Sequence, residues 1–215
     1  METGDASGRK AGGMGQMGCF SFYANKIITT GEGGMVTTSD PALADRARRL
    51  KGLAFGDKNR FMHTDVGFNY RMTNLQAAIG CAQMERIEQV LQAKRRIAHM
   101  YDERLSNVPA LQLPVERPWA RNVYWMYHVV LKGVHAGARA EIMQALDASG
   151  IETREGFIPA NLQEIFIREG WTRPEDCPRA NAVAYAGFYL PSGPVLTEAQ
   201  VDRVAARLRE IVGAP

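Results

Sequence analysis

The sequence contains few cysteines, and their positions do not suggest disulfide bonds or a metal site. Cys19, Cys81 and Cys177 are odd in number, lie far apart and lack CxxC spacing. A disulfide framework needs cysteines that can pair, and a zinc site needs several ligands at suitable spacing. His63 and His128 have no second ligand at such spacing either. The pattern predicts free thiols in a reducing cytoplasm and no bound metal.

Long apolar runs and a large excess of one charge are also missing. No apolar run approaches the roughly 20 residues that span a bilayer, and the first residues do not resemble a secretory signal. The net charge is only +3. The basic clusters at 46–51 and 94–96 fall on predicted helices, where they indicate solvated faces rather than a nucleic-acid surface. We therefore expect a cytoplasmic globular protein that binds neither membranes nor nucleic acid.

The most informative segment is residues 19–38, CFSFYANKIITTGEGGMVTT, which places Lys26 between two short predicted strands. A lysine amine can form a Schiff base with an aldehyde cofactor, and burial lowers its pKa so that it can also move protons. Gly31, Gly33 and Gly34 allow a tight turn and a close approach to a ligand. The residues alone leave two interpretations: a cofactor-binding loop, or a hairpin with a solvated lysine at its tip.

Capping residues and periodicity predict the remaining elements. Asp40 caps a helix that ends near Gly52, and Thr73 caps a single long helix that runs to about residue 105. Between them, residues 53–72 form a long polar connection with aromatic inserts. A strand is predicted at 123–131 and helices at 138–148, 175–186 and 198–212, the last with a capping box from Thr197 and Gln200. The second half of the chain is therefore predicted to be a small α+β domain.

Five separated blocks together resemble one enzyme family. They are residues 19–38, GFNYRMTNLQAAIGCAQMERI (67–87), RPWARNVYWMYHVVL (117–131), GIETREGFIP (150–159) and LPSGPVLTEAQVDRV (190–204). Their sequences and order resemble the DegT/DnrJ/EryC1/StrS family, the pyridoxal-phosphate-dependent sugar aminotransferases. The resemblance extends from about residue 12 onward, and five blocks in one order are far more specific than any single block.

The resemblance implies roles for four residues. Lys26 matches the family's Schiff-base lysine, which also carries a proton between the donor Cα and the cofactor pyridoxal 5′-phosphate (PLP). Ser21 matches the phosphate-binding serine. Asn69 and Arg71 match a loop that reaches across a homodimer interface to the neighbour's cofactor phosphate, so the active sites would be shared. An amide and a guanidinium both donate hydrogen bonds to phosphate oxygens. Without the resemblance, a hydrogen-bond network at the start of a helix is an equally good interpretation.

The resemblance also implies a fold and domain boundaries. Members are nearly twice as long, with the lysine near the middle, so the chain is expected to be the C-terminal half of an α/β fold-type I aminotransferase. Residues 1–105 would be a remnant of the large PLP-binding domain with the long helix, and residues 106–215 the small α+β domain. No counterpart is found for the phosphate-binding turn, the ring-stacking aromatic residue or the aspartate that pairs with the ring nitrogen. Asp5 lies in a short polar segment that does not support that last role.

The activity implied is transfer of an amino group, from glutamate, to a nucleotide-linked 4-keto-6-deoxy sugar for polysaccharide biosynthesis. The alternative is a catalytically incompetent fragment that acts only as a dimerising or interaction partner. Relatives often carry a histidine after the proline of the segment that follows GIETR, whereas this chain has Ala160 and Asn161 there. Tyr23 and Tyr70 are expected to pack in the core rather than line a pocket.

Overall fold

Helices and short strands follow one another along the whole chain. The computed structural model describes residues 2–3, 10–56, 59 and 61–213. Its α-helices are α1 (Pro41–Lys51), α2 (Asn74–Met84), α3 (Ile87–Leu105), α4 (Arg139–Asp147), α5 (Glu164–Arg168), α6 (Pro178–Ala186) and α7 (Glu198–Ile211). Its strands are β1 (Glu2–Thr3), β2 (Gly18–Ser21), β3 (Gly34–Thr37), β4 (Leu111–Gln112), β5 (Ala120–Arg121), β6 (Tyr127–Leu131), β7 (Arg154–Glu155) and β8 (Gly187–Leu190). The predicted mixture of helix and strand is confirmed.

The described residues up to Leu91, together with Glu116–Val123, form one compact unit, which we call unit 1. It contains α1, α2 and two antiparallel pairs, β2 with β3 and β1 with β5. In the β2–β3 pair, Gly18 lies opposite Thr37 and Ser21 lies opposite Gly34. Within the described part of the chain this sheet has only two strands, so each of them leaves one edge without a strand partner.

Helix α1 begins and ends where the sequence predicts. The side chain of Asp40 accepts hydrogen bonds from the backbone of Ala42 at 2.8 Å and of Leu43 at 3.3 Å, and Pro41 occupies the first turn. The helix ends at Gly52. Three basic residues lie in its last turn, where positive charge favours the carbonyl end of a helix. Its boundaries are therefore set by local chemistry.

The predicted single helix from Thr73 to about residue 105 is divided in two. Thr73 and Gln76 form a capping box at the start of α2, as the sequence suggests. The helix then breaks at Glu85 and Arg86, and the Arg86 N–H bonds to the Gln83 carbonyl at 3.1 Å, three residues back instead of four. This tighter turn separates α2 from α3 without a proline or glycine, so the prediction of one continuous helix was wrong.

The residues Gln92–Val115 and those from Tyr124 onward form the second compact unit, unit 2. Its sheet has four antiparallel strands in the order β4-β6-β8-β7. Side chains of β6 alternate between buried and partly buried, as expected for a strand with one face on a core. The predicted strand at 123–131 is shorter in the structure, because Tyr124 adopts a left-handed backbone with φ of 46° and the ladder starts only at Tyr127.

Unit 2 has a continuous hydrophobic core, and the described residues of unit 1 do not form one. In unit 2 the core is formed by α3, α4, α7 and the sheet, and its fully buried side chains are Tyr101, Tyr127, Phe188, Ile97, Leu105, Leu146, Leu208, Val129 and Val201. In unit 1, by contrast, α1 and α2 contain no buried residue. The hydrophobic effect therefore stabilises unit 2 far more than the described part of unit 1.

A buried lysine links three segments of unit 2. Lys94, on α3, is only 6% exposed. Its Nζ donates to the Trp125 carbonyl at 3.0 Å, to the Ser192 carbonyl and to Ser192 Oγ at 3.2 Å. Burial lowers the pKa of this amine to about 8. Lys94 therefore fixes the segments before β6 and after β8 to the helix.

Asn161, one of the two departures from the family pattern, has a structural role. It is buried, and its Nδ2 donates to the Pro174 carbonyl and to Asn181 Oδ1, both at 3.0 Å. Asn181 Nδ2 donates to the same Pro174 carbonyl at 2.6 Å. The departure therefore supplies the hydrogen bonds that hold residues 161–181 together.

Two expectations about organisation concern the domain boundary and membrane-spanning helices. The division at residues 105 and 106 stays a prediction, although α3 enters unit 2 at Gln92. Among the residues described, no helix combines the length and the apolar character that a membrane crossing needs.

Candidate active site

The lysine loop connects β2 to β3 and is closed by backbone hydrogen bonds. The Phe22 N–H donates to the Gly33 carbonyl at 2.9 Å, and the Thr30 N–H donates to the Phe22 carbonyl at 3.0 Å. Within the loop, the Lys26 N–H donates to the Tyr23 carbonyl at 3.0 Å. Lys26 is partly buried. The loop is therefore a folded turn that fixes the backbone on which the lysine side chain is mounted.

Two threonines and one glutamine stabilise this loop through hydrogen bonds. Thr29 Oγ1 donates to the Phe22 carbonyl at 2.9 Å, and Thr30 Oγ1 donates to the Glu32 carbonyl at 2.7 Å. The Thr29 N–H donates to Gln83 Oε1, on α2, at 2.8 Å. Thr30 is buried. The Thr29–Gln83 bond connects the lysine loop to α2, and the sequence offers no signal for it because its two residues lie 54 positions apart.

Glycine is required at one position of this loop. Gly33 has a φ of 145°, which side chains rarely adopt. A Cβ there would lie 2.6 Å from Thr30 Oγ1 and 2.9 Å from Met72 Cε. The glycine-rich turn predicted from the sequence therefore allows α2 and the segment before it to approach the loop.

Ser21 lies at the end of β2, directly before the lysine loop. It is exposed, and its Oγ accepts a hydrogen bond from the Tyr23 N–H at 3.3 Å. Lys26 follows on the same loop, so the structure brings these two predicted site residues onto one short segment. A hydroxyl at this position keeps its own proton available for donation to a phosphate oxygen.

Asn69 and Arg71 lie on a second segment, beside the end of α1. Asn69 pairs with Gly52 in an isolated β-bridge, and both Asn69 and Arg71 are exposed. Arg71 Cδ lies 3.8 Å from the place that a Cβ at Gly52 would take. The Tyr70 N–H donates to the Lys51 carbonyl at 3.0 Å. Both predicted phosphate donors therefore project from an ordered backbone and are available at the surface.

The connection from residue 53 to residue 73 is anchored to α1. Arg46 forms an ion pair with Asp65, and Arg49 Nη2 donates to Thr64 Oγ1 at 2.9 Å. The hydrogen bond and the charge of Arg46 lower the pKa of the Asp65 carboxyl. The His63 Nδ1 donates to the Leu53 carbonyl at 2.7 Å. As predicted, no helix or strand of the structure lies in the described part of this connection.

The two segments that carry the predicted site residues are joined through α2. Met72, next to Arg71, approaches the turn at Gly33. In addition, Gln76 Nε2 donates to the Glu32 carbonyl at 3.2 Å. The lysine loop and the 69–72 segment therefore form one connected surface within unit 1.

The prediction that Tyr23 and Tyr70 pack in the core is wrong for the described chain. Tyr23 and Tyr70 are both exposed, and the Tyr70 ring stacks on Phe68 with centroids 5.0 Å apart. Because the described residues around them form no apolar core, these rings have no interior of unit 1 to pack into there. Asp5 lies outside the described residues, and within those residues no cluster of three or more metal-ligating side chains is found.

The side chains present fit two parts of PLP. An amine on a folded loop suits the aldehyde group, and the hydroxyl of Ser21 with the amide of Asn69 and the guanidinium of Arg71 suits a phosphate. The glycine turn gives that loop a conformation that a residue with a Cβ would disturb. The donor set therefore fits the aldehyde and phosphate ends of the cofactor that the resemblance implies.

Comparisons with known proteins find relatives by sequence and by fold. The chain is 40% identical to the GDP-perosamine synthase of Caulobacter vibrioides over 206 residues. This alignment covers 95% of this chain and 55% of that protein. DesV of S. venezuelae, solved in complex with a ketimine intermediate, is 31% identical with a TM-score of 0.84 over 97% of this chain and 54% of its own. A sugar aminotransferase of Streptococcus pneumoniae in its PLP form, at 22% identity, shares the fold with a TM-score of 0.85, over 96% of this chain and 54% of its own.

The family follows from these matches. The chain spans about half the length of the curated relatives it matches. The sequence model of the DegT/DnrJ/EryC1/StrS aminotransferase family matches residues 4–209, nearly the whole chain. Together with the lysine loop and the matching fold, this shows that the chain belongs to the DegT/DnrJ/EryC1/StrS aminotransferase family.

Proposed function

We propose that this chain is part of a PLP-dependent aminotransferase that transfers an amino group from glutamate to a nucleotide-linked 4-keto-6-deoxy sugar. The observation that carries the proposal is Lys26 on a closed, hydrogen-bonded loop next to Ser21. A solvated hairpin tip would not need the side chains of two threonines and Gln83 to hold its backbone.

Lys26 has two tasks in this proposal. Its amine would hold the cofactor by condensing with its aldehyde, with loss of water, and the free amine would take the proton from Cα of the amino donor. A fixed backbone favours both tasks, because the amine must return to the same position after each half-reaction. The hydrogen bonds from Thr29 and Thr30 to the loop carbonyls provide that fixed backbone.

Ser21, Asn69 and Arg71 hold the phosphate in this proposal. Ser21 acts on the cofactor of its own chain, whereas Asn69 and Arg71 act on the cofactor of a second subunit. Their exposure supports this use, because a residue that serves a neighbouring subunit must project from its own surface. The guanidinium of Arg71 can donate two hydrogen bonds to one phosphate.

When bound, PLP supplies the electron sink that makes the Cα proton of glutamate acidic. The overall reaction balances as glutamate plus keto sugar giving 2-oxoglutarate plus amino sugar. Resemblance to the GDP-perosamine synthases, at 34–40% identity, supports a GDP-linked sugar aminated at C4.

A trapping experiment tests the role of Lys26. The protein is incubated with PLP, reduced with borohydride and digested, and the modified lysine is identified by peptide mass spectrometry. We expect the pyridoxyl group on Lys26 and its loss in Lys26→Ala, whereas Lys132→Ala, which removes an exposed lysine of unit 2, should be labelled normally. Equal labelling of the Lys26→Ala protein would rule out the assignment.

A mixing experiment tests the shared sites. In the dimeric protein completed with the remainder of the fold, Lys26→Ala and Arg71→Ala subunits are each expected to be inactive. A hybrid dimer has one intact composite site, so mixing should restore part of the activity. A failure of the mixture to regain activity would contradict a phosphate contact across the interface.

One observation favours a second candidate function. The chain covers only 53–55% of the GDP-perosamine synthases it matches, so a catalytically incompetent partner that only dimerises is the alternative. On the present proposal, the 215 residues alone show little transamination, because loss of an electrostatic partner of the reacting group typically costs about 10²- to 10³-fold. Restored turnover when the remainder of the fold is added would favour the enzyme.

A further inference from the structure

Helix α2 places two glutamines and two small residues beside the lysine loop. Of its eleven residues, four are partly buried and the others are exposed. The four recur at helical spacing and therefore lie on one face: Gln76, Ala77, Gly80 and Gln83. A Cβ at Gly80 would lie 3.0 Å from Thr30 Cγ2. The backbone of the helix therefore closely approaches the turn that follows the lysine.

Both glutamines bond to this turn. Gln83 Oε1 accepts a hydrogen bond from the Thr29 N–H at 2.8 Å, and Gln76 Nε2 donates to the Glu32 carbonyl at 3.2 Å. The two glutamines lie seven residues apart, which is about two helical turns. Residues 29–32 are therefore attached to α2 at both of their ends.

The same turn closes the loop that carries Lys26. The Thr30 N–H and Thr29 Oγ1 both donate to the Phe22 carbonyl, at 3.0 Å and 2.9 Å. Residues 23–28 form the part of the loop beyond these bonds. A displacement of the turn relative to α2 would therefore displace the segment on which the lysine is mounted.

Gln76 uses both ends of its amide. Its Oε1 accepts from the Thr73 N–H at 2.9 Å and from Thr73 Oγ1 at 3.1 Å, which completes the capping box of α2, while its Nε2 bonds to the Glu32 carbonyl. A capping box accepts glutamate as well as glutamine, but a carboxylate has no hydrogen to donate to a carbonyl. Glutamine is therefore needed at this position for the contact with the loop, and not for the cap.

We infer that Gln76 and Gln83 are positioning residues for Lys26. They hold the turn that follows the lysine on α2, and so keep the amine where it can reach the aldehyde of the cofactor and return to it. Neither glutamine is assigned a contact with cofactor or substrate, since both act through residues 29–32. The inference rests on the proposed function, because the position of the amine matters only if the amine reacts.

The test measures the labelling of Lys26 in the full 215-residue chain. Free PLP is the probe: its aldehyde condenses with lysine amines with loss of water, and borohydride reduces the resulting C=N bond to a stable amine. Peptide mass spectrometry gives the pyridoxyl label on Lys26 relative to that on Lys132, an exposed lysine of unit 2. Because both lysines are measured in one digest, differences in reagent and reaction time cancel in this labelling ratio.

One substitution should have opposite effects at the two glutamines. Gln76→Glu keeps the acceptor of the capping box and loses the donor to Glu32, so the labelling ratio should fall at least about fivefold, since misplacing a reacting group by roughly 1 Å can cost about 10²-fold. Gln83→Glu adds the same charge to the same helix face but keeps an acceptor for the Thr29 N–H. This second variant should leave the labelling ratio unchanged.

A second pair of variants removes the acceptor without adding charge. Gln83→Met has a similar length and no acceptor for the Thr29 N–H, so it should lower the labelling ratio as Gln76→Glu does. Gln144→Met, on an exposed glutamine of α4, is the matched control and should not. Circular dichroism checks the fold of each variant, and the two Gln83 variants decide the question if Gln76→Glu is poorly folded.

Amide hydrogen exchange, measured by nuclear magnetic resonance, separates positioning from a role in folding alone. The Thr29 amide should exchange faster in Gln83→Met, because its acceptor is lost. The Thr73 amide should exchange at an unchanged rate in Gln76→Glu, because the capping box is kept. These rates show which hydrogen bond each variant breaks, independently of the labelling of the lysine.

Each outcome supports or overturns the inference. It is overturned if Gln83→Met exchanges faster at Thr29 and yet keeps the wild-type labelling ratio, because the glutamine then supports the fold without positioning the lysine. It is also overturned if Gln83→Glu lowers the ratio as much as Gln76→Glu, because the added charge would then be the cause. A wild-type chain without label on Lys26 would contradict the proposed function itself, whereas a labelled wild type with equal ratios in all variants would contradict the positioning role alone.

Discussion

Replacing Lys94 by methionine should change how the stability of unit 2 depends on pH. Lys94 is 6% exposed, and the partners recorded for its ammonium are two carbonyls and a hydroxyl, from Trp125 and Ser192. Burial disfavours the charged form and lowers the pKa of the amine from 10.5 to about 8. Methionine has a similar length and no charge, so the variant removes the titration together with the three hydrogen bonds.

The direction and the size of this change in stability with pH follow from proton linkage. The unfolded chain binds the Lys94 proton more tightly than the folded chain. The free-energy cost of burying the charge is therefore full below pH 8 and disappears above pH 10.5. Between about pH 7 and about pH 10 the folded state should regain up to about 2.5 kcal/mol. This is an upper limit, because the oxygen acceptors favour the ammonium and oppose the effect of burial.

The assay is urea unfolding followed by far-ultraviolet circular dichroism at both pH values. The difference in unfolding free energy between the wild type and Lys94→Met should grow in favour of the wild type as the pH rises. Ionisation of tyrosines cancels in this difference, since burial raises the pKa of Tyr101 and Tyr127 in both proteins. Lys132→Met, on an exposed lysine, is the control for replacing a lysine by methionine. A constant difference for Lys94→Met would refute the reasoning.

Three further predictions concern the stability of unit 2 and the rates of amide exchange in the two units. In Gly187→Ala the new Cβ would lie 2.3 Å from the His128 ring, so the free energy of unfolding should fall by roughly 1–3 kcal/mol. In the control Gly137→Ala no atom lies within 4 Å of the new Cβ. This control should leave the free energy of unfolding unchanged in the same urea assay. Asn161→Ala leaves Asn181 Oδ1 without the donor recorded for it and should lower the free energy of unfolding by about 1–2 kcal/mol, with faster proteolysis at residues 162–176. Unchanged cleavage would argue against the role of Asn161 in holding residues 161–181 together. Amides of β6 and β8 should exchange far more slowly than those of β2 and β3, and equal rates would contradict the difference in burial between the units.

Elements whose signals are local were predictable. Asp40, Thr73 and Thr197 each accept a hydrogen bond from the first turn of the helix that follows them, as their positions in the sequence suggest. The glycine-rich turn after Lys26 is likewise a local feature, because a positive φ is required at Gly33 itself. The candidate site residues came from a resemblance, and the structure adds that Ser21 ends β2 directly before the folded loop that carries Lys26.

Features that depend on distant partners could not be predicted, and the contact between Gln83 and the lysine loop is an example. The apolar residues of this region recur at helical spacing through residue 105, and neither proline nor glycine interrupts them at Glu85 and Arg86. Gln83, just before the break, instead accepts a hydrogen bond from Thr29 in the lysine loop, 54 residues earlier. The Gln83 carbonyl also accepts from the Arg86 N–H in the tight turn. The side chain of Gln83 thus supports the loop of Lys26, and its carbonyl takes part in the turn that follows α2. The first contact needs a partner 54 residues away, which the local sequence pattern does not indicate.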